Sequence, residues 1–242
     1  RRLAGEPVPL DRLWPQLADM GVLGINLPSP HGVMDLGAQE AAIASHLVAQ
    51  AMGKTLATDP FISCCVVASP LLASLGTTAQ KDVLLHAVAA GSTRITLAHA
   101  EGGPGSDLIT IHTQARTIDG GYCLNGHKLG VLDAQGATHF IVAARTDGAP
   151  DDEEGVSLFL VASNQPGLSV RSSLGFDGGD VGELQLDNVK LDAAALLGPQ
   201  DKALAALHHA VHRGMAALVS EASGAMEMVG DPGQYPFTRG IH

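Results

Sequence analysis

The sequence predicts an α+β protein, with helical regions at both ends and a β domain between them. Up to about residue 92, apolar residues recur at the helical spacing of three and four residues, as at Ile43 and Leu47. From Arg94 onward, short alternating runs lie between turn signals such as Asp119-Gly120-Gly121. The helical spacing returns from about Pro199. We therefore expect an N-terminal helical bundle, a middle β-barrel or sandwich, and the start of a C-terminal helical bundle.

These changes in spacing also set the predicted domain boundaries. Residues 1–92 form an all-helical domain and residues 93–195 the β domain. Residues 196–230 form the first helix of an incomplete C-terminal helical domain, and residues 231–242 are a tail without an assignment. The predicted C-terminal helix has a broad apolar face made of Leu204, Leu207, Val211, Met215, Leu218 and Val219.

Four helices are predicted in the first domain. Pro15 lies inside the first helical pattern and should kink or shorten that helix. The second helix runs from about Ala38 to Met52, and the third from Pro60 to Leu75. Thr77 and Gln80 have the spacing of a capping box and should begin the fourth helix.

Strands and tight turns are predicted between residues 93 and 195. The Asn125-Gly126 pair is a strong signal for a two-residue hairpin turn. The predicted strands are Ile111 to Arg116, Tyr122 to Leu124, Phe140 to Arg145, Val156 to Val161, Leu168 to Arg171 and Glu183 to Leu191.

Composition excludes some classes of partner. The 242 residues carry a formal net charge of −11 with only 14 Lys and Arg, which argues against nucleic acid or an anionic membrane as a partner. The most apolar stretch, residues 61–75, is too short to span a bilayer. Cys64, Cys65 and Cys123 lack the spacing of metal ligands. We interpret them as reduced thiols of a cytoplasmic protein.

The segment from Arg94 to Asp107 is the main candidate for a binding site. It begins as an apolar strand and then enters a glycine-rich loop with Ser106 behind it. Glycines allow backbone angles at which successive amide N–H groups point into one concavity and hold an anion. Glu101 at the end of the strand adds one fixed polar group. The alternative is an ordinary Gly/Pro turn.

Five phrases in a fixed order resemble the acyl-CoA dehydrogenase family. That family's loop reads roughly T-E-P-G-A-G-S-D, and the resemblance covers about Leu10 to Val229. In wording it is most similar to the branch described as small subunits of pimeloyl-CoA dehydrogenase. The five phrases are AEGGPGSD at 100–107, LNGHK at 124–128, IVAARTD at 141–147, SLFLVASNQPGLSV at 157–170 and LQLDNVKLDAAALLG at 184–198.

The resemblance implies a flavoenzyme. In the family a carboxylate removes the proton alpha to a thioester, and hydride passes from the beta carbon to FAD. An acyl-CoA thioester would be the substrate, and subunits of the same family would form homo- or hetero-oligomers. The resemblance assigns Ser106 and Arg213 to substrate binding. It assigns cofactor binding to Leu97, His99, Ala100, Gly105, Ser106, Val131 and Leu132.

Departures from the family pattern weaken the cofactor site. Ala100 replaces a threonine, and Gly130 and Leu132 replace a tryptophan and a threonine near the flavin. His99 stands where family members have an apolar residue. It could tune the cofactor, or it could be a strand histidine whose hydrogen bonds are satisfied inside the protein.

The catalytic base is not identified by the sequence. Most family members carry it in a later part of the C-terminal bundle, and some carry it in the first helix of that bundle, at the position of His212. His212 is therefore a candidate base. His208, His209 and His212 could also be plain structural histidines, and a metal site there is disfavoured because no carboxylate accompanies them.

The last twelve residues do not continue the family pattern. DPGQYPFTRGIH, at 231–242, resembles a short phrase near the start of the methylmalonyl-CoA mutase large chain. Two hypotheses remain. The chain is either part of an FAD-dependent acyl-CoA dehydrogenase, or a truncated, non-catalytic acyl-CoA-binding or scaffold protein on the same fold.

Overall fold

The computed structural model describes residues 13–32, 34, 36–102, 108–175 and 178–230. Helices occupy its first part, strands follow from Ile95, and a long helix ends the described chain. This order confirms the predicted α+β class. The domain boundaries at residues 92 and 195 stay predictions, and the tail of residues 231–242 lies outside the described residues.

The N-terminal region contains the helices α1 (Trp14–Asp19), α2 (Ala38–Thr55), α3 (Ser69–Leu75) and α4 (Thr78–Ala89). Pro15 lies in the first turn of α1 and therefore begins this helix rather than kinking it. The predicted capping box at α4 is present, since Thr77 N–H donates to Gln80 Oε1 (2.8 Å) and Gln80 N–H donates to Thr77 Oγ1 (3.3 Å).

The third predicted helix differs from the prediction in its hydrogen bonding. Residues Phe61–Ala68 form a π-helical segment, and α3 follows it directly. The N–H of Ser69 donates to the carbonyl of Cys64, five residues earlier. Pro70 has no N–H, so a regular α-helical ladder through this point would lack a bond. The sequence pattern shows the helix but does not show this wider turn.

The described residues include eight strands, which form one mixed sheet with the order β6-β7-β3-β2-β4-β5-β8, and β1 pairs in parallel with β4. Most predicted strands are present, but β2 begins three residues later than predicted and β8 was not predicted. The strands are β1 (Ile95–Ala98), β2 (Gln114–Ile118), β3 (Gly121–Leu132), β4 (His139–Arg145), β5 (Val156–Ala162), β6 (Leu168–Leu174), β7 (Asp180–Asp192) and β8 (Leu196–Leu197).

The predicted hairpin turn at Asn125-Gly126 is wrong. Strand β3 runs straight through this pair and shows an irregular register against β7 between Leu124 and Gly126. Gly126 lets Thr113 pack against the backbone of β3, because a Cβ built at Gly126 would lie 2.3 Å from Thr113 Oγ1. The predicted turn at Asp119-Gly120-Gly121 is confirmed, since it joins β2 to β3 and Gly120 has a φ of +78°.

The buried apolar residues of the described chain form two cores. One joins the N-terminal helices to β1, β4 and the final helix α5 (Leu204–Gly230), and includes Phe61, Leu85 and Leu207. The other lies within the sheet around Phe140 and Phe159. Strands β1 and β4 contribute to both, since alternate side chains point to opposite faces.

Helix α5 packs closely against α2 and is only partly covered. A Cβ built at Gly224 would lie 2.0 Å from the Gln50 carbonyl oxygen, so the two backbones are nearly in contact. The predicted broad apolar face is only half correct, because Leu207 is buried while Met215 and Val219 are exposed. Among the described helices, none has both the length and the apolar character needed to cross a bilayer.

Candidate functional site

An apolar cavity of about 210 Å³ lies where the π-helical segment, β1, β3 and α5 meet. Its walls include Leu97, His99 and Leu132, three of the residues that the sequence assigned to cofactor binding. Val211 and Met215 of α5 line the opposite side. The cavity is larger than the roughly 150 Å³ site that holds benzene in an engineered protein core. It therefore has room for at least one aromatic ring.

The polar side chains Ser63 and Thr96 in the cavity wall already have internal partners. Thr96 Oγ1 donates to the Leu132 carbonyl oxygen at 2.7 Å, which joins β1 to the end of β3. Ser63 Oγ donates to Asp133 Oδ2 at 2.5 Å, which joins the π-helical segment to the same place. These two bonds hold three walls of the cavity together.

Gly130 gives the cavity an open side within β3. Its φ is +63°, a backbone conformation that residues other than glycine rarely adopt. The register of β3 against β7 is irregular between Lys128 and Val131. A Cβ built at Gly130 would meet no atom within 4 Å. The space where the family has an aromatic side chain is therefore open.

A buried ion pair lies directly behind the cavity. Lys128 is fully buried, and its Nζ donates to Glu101 Oε1 at 2.5 Å and to the His99 carbonyl oxygen at 3.1 Å. The Glu101 carboxylate also accepts from His112 N–H (2.6 Å) and Thr113 N–H (2.9 Å). One carboxylate thus fixes both ends of the segment from residue 102 to residue 111.

Burial and mutual attraction act against each other in this pair. Burial lowers the pKa of Lys128 to about 8, because desolvation of the ammonium outweighs the attraction of Glu101. Burial alone would raise the pKa of Glu101, but the charge of Lys128 and the hydrogen bonds from Lys128 and Thr113 lower it. Both groups are therefore charged at neutral pH.

His99 carries a polar atom without a partner. Its Nδ1 is buried and makes no hydrogen bond within the described part of the chain. Burial, helped by the charge of Lys128, lowers the pKa of His99 to about 4. A buried polar group in this state costs roughly 1–3 kcal/mol. The alternative of a strand histidine whose hydrogen bonds are all satisfied internally does not hold for Nδ1.

The candidate base His212 and the candidate substrate ligand Arg213, both on α5, are not among the residues that line the cavity. His212 is exposed, and its ring centroid is 6.3 Å from that of His208. Arg213 is half-buried and donates from Nη2 to Asn26 Oδ1 at 2.9 Å. Asn26 in turn donates to Ser45 Oγ and to the Cys65 carbonyl oxygen. Arg213 thereby links α5 to the N-terminal helices.

The other predicted cofactor residues are placed differently. The Ala100 carbonyl oxygen accepts from Leu129 N–H at 2.8 Å, so its main chain is joined to β3. The Val131 side chain is packed in the core of the sheet. Gly105 and Ser106 lie outside the described residues, so their assigned roles stay predictions.

Sequence reasoning missed part of this site. Ser63 and Thr96 gave no signal, because each is a small polar residue in an apolar run. The sequence places Lys128 in the LNGHK phrase, but nothing in it indicates that this lysine pairs with Glu101, 27 residues earlier in the chain. In the described part of the chain, no three His, Cys, Asp or Glu side chains gather as metal ligands would.

Comparison with known proteins gives consistent matches along the chain. The model of the acyl-CoA dehydrogenase N-terminal domain matches residues 3–92, and that of the middle domain matches residues 96–189. Mitochondrial isovaleryl-CoA dehydrogenase from Pongo abelii is 30% identical over 227 residues, which are 92% of this chain and 53% of that protein. The chain thus spans about half the length of the curated relatives it matches.

Solved structures share the fold. The ChsE4-ChsE5 complex from Mycobacterium tuberculosis has a TM-score of 0.72 at 28% identity, covering 89% of this chain and 54% of the other. The FAD complex of PigA has a TM-score of 0.82 at 22% identity, covering 94% and 60%, and at that identity shows the fold alone. The two domain matches, in their family order, show that this chain belongs to the acyl-CoA dehydrogenase family.

Proposed function

We propose that this chain is the flavin- and acyl-CoA-binding part of an FAD-dependent acyl-CoA dehydrogenase. The observation that carries the proposal is the apolar cavity lined by Leu97, His99 and Leu132, beside the start of the glycine-rich segment. An uncharged planar ring suits such a cavity. The open space at Gly130 fits the same kind of ligand.

The residues divide between two tasks. FAD, when bound, supplies the acceptor for the hydride. The main chain of Leu97 to Ala100 would border the flavin, and the glycines up to Gly105 with Ser106 would hold its phosphates through main-chain N–H groups. The Glu101–Lys128 pair would position that segment, because Glu101 fixes both of its ends. Arg213 is proposed for the CoA end and would then have to exchange or share its bond to Asn26.

Proton abstraction from the acyl group needs a base that this cavity does not offer. Among the described residues that line it there is no carboxylate. His212 is the candidate base at the family position, but it is not part of the lining. We therefore propose that the described chain has no useful turnover alone, since loss of a positioned base typically costs about 10²–10⁴-fold. This favours the second hypothesis, a ligand-binding or scaffold role, for the polypeptide by itself.

Partners and location follow the same proposal. A subunit of the same family is the proposed partner, and one solved structure that this chain resembles is a complex, that of ChsE4 and ChsE5. A cytoplasmic location stays a prediction from Cys64, Cys65 and Cys123, which are free in the structure.

Calorimetric titration of FAD and of butyryl-CoA tests the binding proposal. Wild type should bind both, and Gly105→Val should weaken FAD binding at least tenfold, because under the proposal the backbone at Gly105 approaches the phosphates and a β-branched side chain would keep them away. Gly120→Val is the control, since it makes the same Gly-to-Val change in the β2–β3 turn, at a residue that does not line the cavity. Equal FAD affinity in all three proteins would show that the loop is an ordinary turn and does not bind FAD.

Reduction of an electron acceptor with a series of acyl-CoA thioesters tests the catalytic part. We expect no turnover above background for the wild-type chain. Robust turnover that His212→Ala abolishes would instead identify His212 as the base.

A further inference from the structure

Helix α5 carries a line of apolar side chains on its exposed side. Met215, Val219, Ala222, Met226 and Val229 follow one another at intervals of four, three, four and three residues. Each of the four larger side chains is at least 56% exposed, and Ala222 is exposed as well. We call these five residues the α5 seam. Apolar surface gathered in this way on a water-soluble domain marks an interaction site.

The spacing of the seam indicates the kind of partner. Alternating steps of three and four residues are the a and d positions of a heptad repeat, with which one α-helix packs along another. The same line continues toward the start of α5 through His212, the half-buried His208 and Ala205. From residue 205 to residue 229 it is about 36 Å long, at 1.5 Å per residue. The surface therefore fits a helix with a seam of the same spacing.

The charges of α5 favour a second copy of this helix as that partner. Its acidic and basic side chains are turned toward their own chain: Arg213 donates to Asn26, and Glu227 pairs with Lys54. Glu221 lines the space between α5, α2 and β3. The positions that flank the seam are uncharged, namely Ala216, Leu218, Ser223 and Ala225. Since charges at these positions select the partner of a paired helix, an identical α5 meets no like charge there, although each chain has a net charge of −11.

The sizes of the seam residues favour an antiparallel pair. About a two-fold axis near residues 220 and 221, Val219 lies opposite Ala222 of the second copy, and Met215 lies opposite Met226. A larger side chain thus faces the small Ala222, and the flexible methionines fill the space on either side. A parallel pair would instead set Ala222 against Ala222 and leave a gap at the centre. The antiparallel arrangement is isologous, so both seams are covered and the assembly closes at two chains.

We propose that the α5 seam binds the α5 seam of a second copy of this chain, antiparallel, to form a two-fold symmetric dimer. The pairing goes beyond the proposed function and needs neither FAD nor an acyl-CoA. The contact is about 36 Å long and roughly 10 Å wide, the width of one helix. Such a contact is at the small end of specific interfaces, so the dimer dissociates on dilution.

Sedimentation equilibrium over a concentration series tests the dimer with wild type, Val219→Glu and Val83→Glu. Val83 is the matched control, because it lies on α4 and is 70% exposed, as Val219 is. Neither substitution reaches a core, so both variants should keep the wild-type circular dichroism spectrum. The average mass of wild type and of Val83→Glu should rise with concentration toward twice that of one chain.

In Val219→Glu the dimer dissociation constant should rise about tenfold or more, because two carboxylates would be desolvated in the contact. A wild type that stays monomeric throughout the series overturns the proposal and leaves the seam to a different chain. A dimer with the same dissociation constant in all three proteins also overturns it, since the contact would then lie on another surface.

Cross-linking tests the antiparallel register. Cys123→Ser is the background, because Cys123 is the one partly exposed thiol and Cys64 and Cys65 are buried. Equal amounts of Val219→Cys and Ala222→Cys proteins are mixed and oxidised, and mass spectrometry counts the disulfide-linked pairs. We expect disulfides between the two variants to outnumber those of either variant with itself. A majority of disulfides within each variant would show a parallel pair and overturn the proposed arrangement.

Discussion

The Glu101–Lys128 pair gives the sharpest stability prediction. In Glu101→Gln the shape is kept, but the fully buried Lys128 ammonium loses its counter-charge, and one main-chain N–H of His112 or Thr113 faces an amide NH₂. Removing one partner of a buried pair costs about 3–5 kcal/mol. Lys128 can escape only by releasing its proton, which at pH 7 costs roughly 5 kcal/mol from an ordinary lysine pKa. We expect the free energy of unfolding to fall by about 3–5 kcal/mol.

Urea unfolding at pH 7 measures this loss, and two variants control it. Glu227→Gln removes the exposed partner of Lys54, which lies 2.9 Å away, and should cost less than about 1 kcal/mol. Lys128→Met added to Glu101→Gln should recover much of the stability, because no buried charge then remains.

The pH dependence of the free energy of unfolding tests the same ion pair independently. Between the folded pKa of Lys128, about 8, and the ordinary lysine pKa of 10.5, the unfolded chain binds more protons than the folded chain. Wild-type stability should therefore rise with pH in that window. The deficit of Glu101→Gln should be larger at pH 7 than at pH 9, because above pH 8 Lys128 is neutral in both folded proteins and no buried ammonium is left without its partner. A loss below about 1 kcal/mol at pH 7 would refute the view that this pair holds the segment in place.

Three further predictions concern other parts of the molecule. Burial lowers the pKa of His99 from 6.5 to about 4, so wild type should lose roughly 3 kcal/mol relative to His99→Leu as the pH falls through that window, measured by urea unfolding. A constant difference between pH 7 and pH 4 would contradict this. Gly224→Ala should lower the melting temperature although alanine is the better helix former, because the new Cβ would meet the Gln50 carbonyl. Ser223 is exposed in the same turn, so the control Ser223→Ala should not lower the melting temperature. A melting temperature that rises in Gly224→Ala would show that α2 and α5 can move apart. Arg213→Ala removes the hydrogen bond to Asn26 and should lower the free energy of unfolding by about 1.5–3 kcal/mol. If Arg213→Ala also weakens butyryl-CoA binding and Asn26→Ala does not, the proposed role of Arg213 at the CoA end is supported.

Local chemistry made much of the fold predictable. The capping box at Thr77 and Gln80 was correct, because both partners lie within one turn. The change from helix to strand near Arg94 was correct, because the two spacings differ along the whole segment. The same reasoning failed at Asn125-Gly126, where the conformation of Gly126 is set by the approach of Thr113 from another segment. Sequence spacing carries no information about that approach.

The candidate site was predictable only in part. Leu97, His99 and Leu132 were identified through the family resemblance, and all three line the cavity. Ser63 and Thr96 hold its walls through single long-range hydrogen bonds, which no local pattern indicates. Arg213 was assigned to the ligand, yet its partner in the structure is Asn26, which is 187 residues away in the chain.

A cavity-blocking substitution tests the central claim most directly, namely that this cavity belongs to the FAD-binding site. Leu132 lines the cavity and is 43% exposed, so Leu132→Trp fills the space at little cost to the core. Leu174→Trp, on β6 and 68% exposed, is the matched control. The account predicts that calorimetric titration gives the same FAD dissociation constant for wild type and Leu174→Trp, and one at least tenfold weaker for Leu132→Trp. Equal FAD affinity in all three proteins would contradict it.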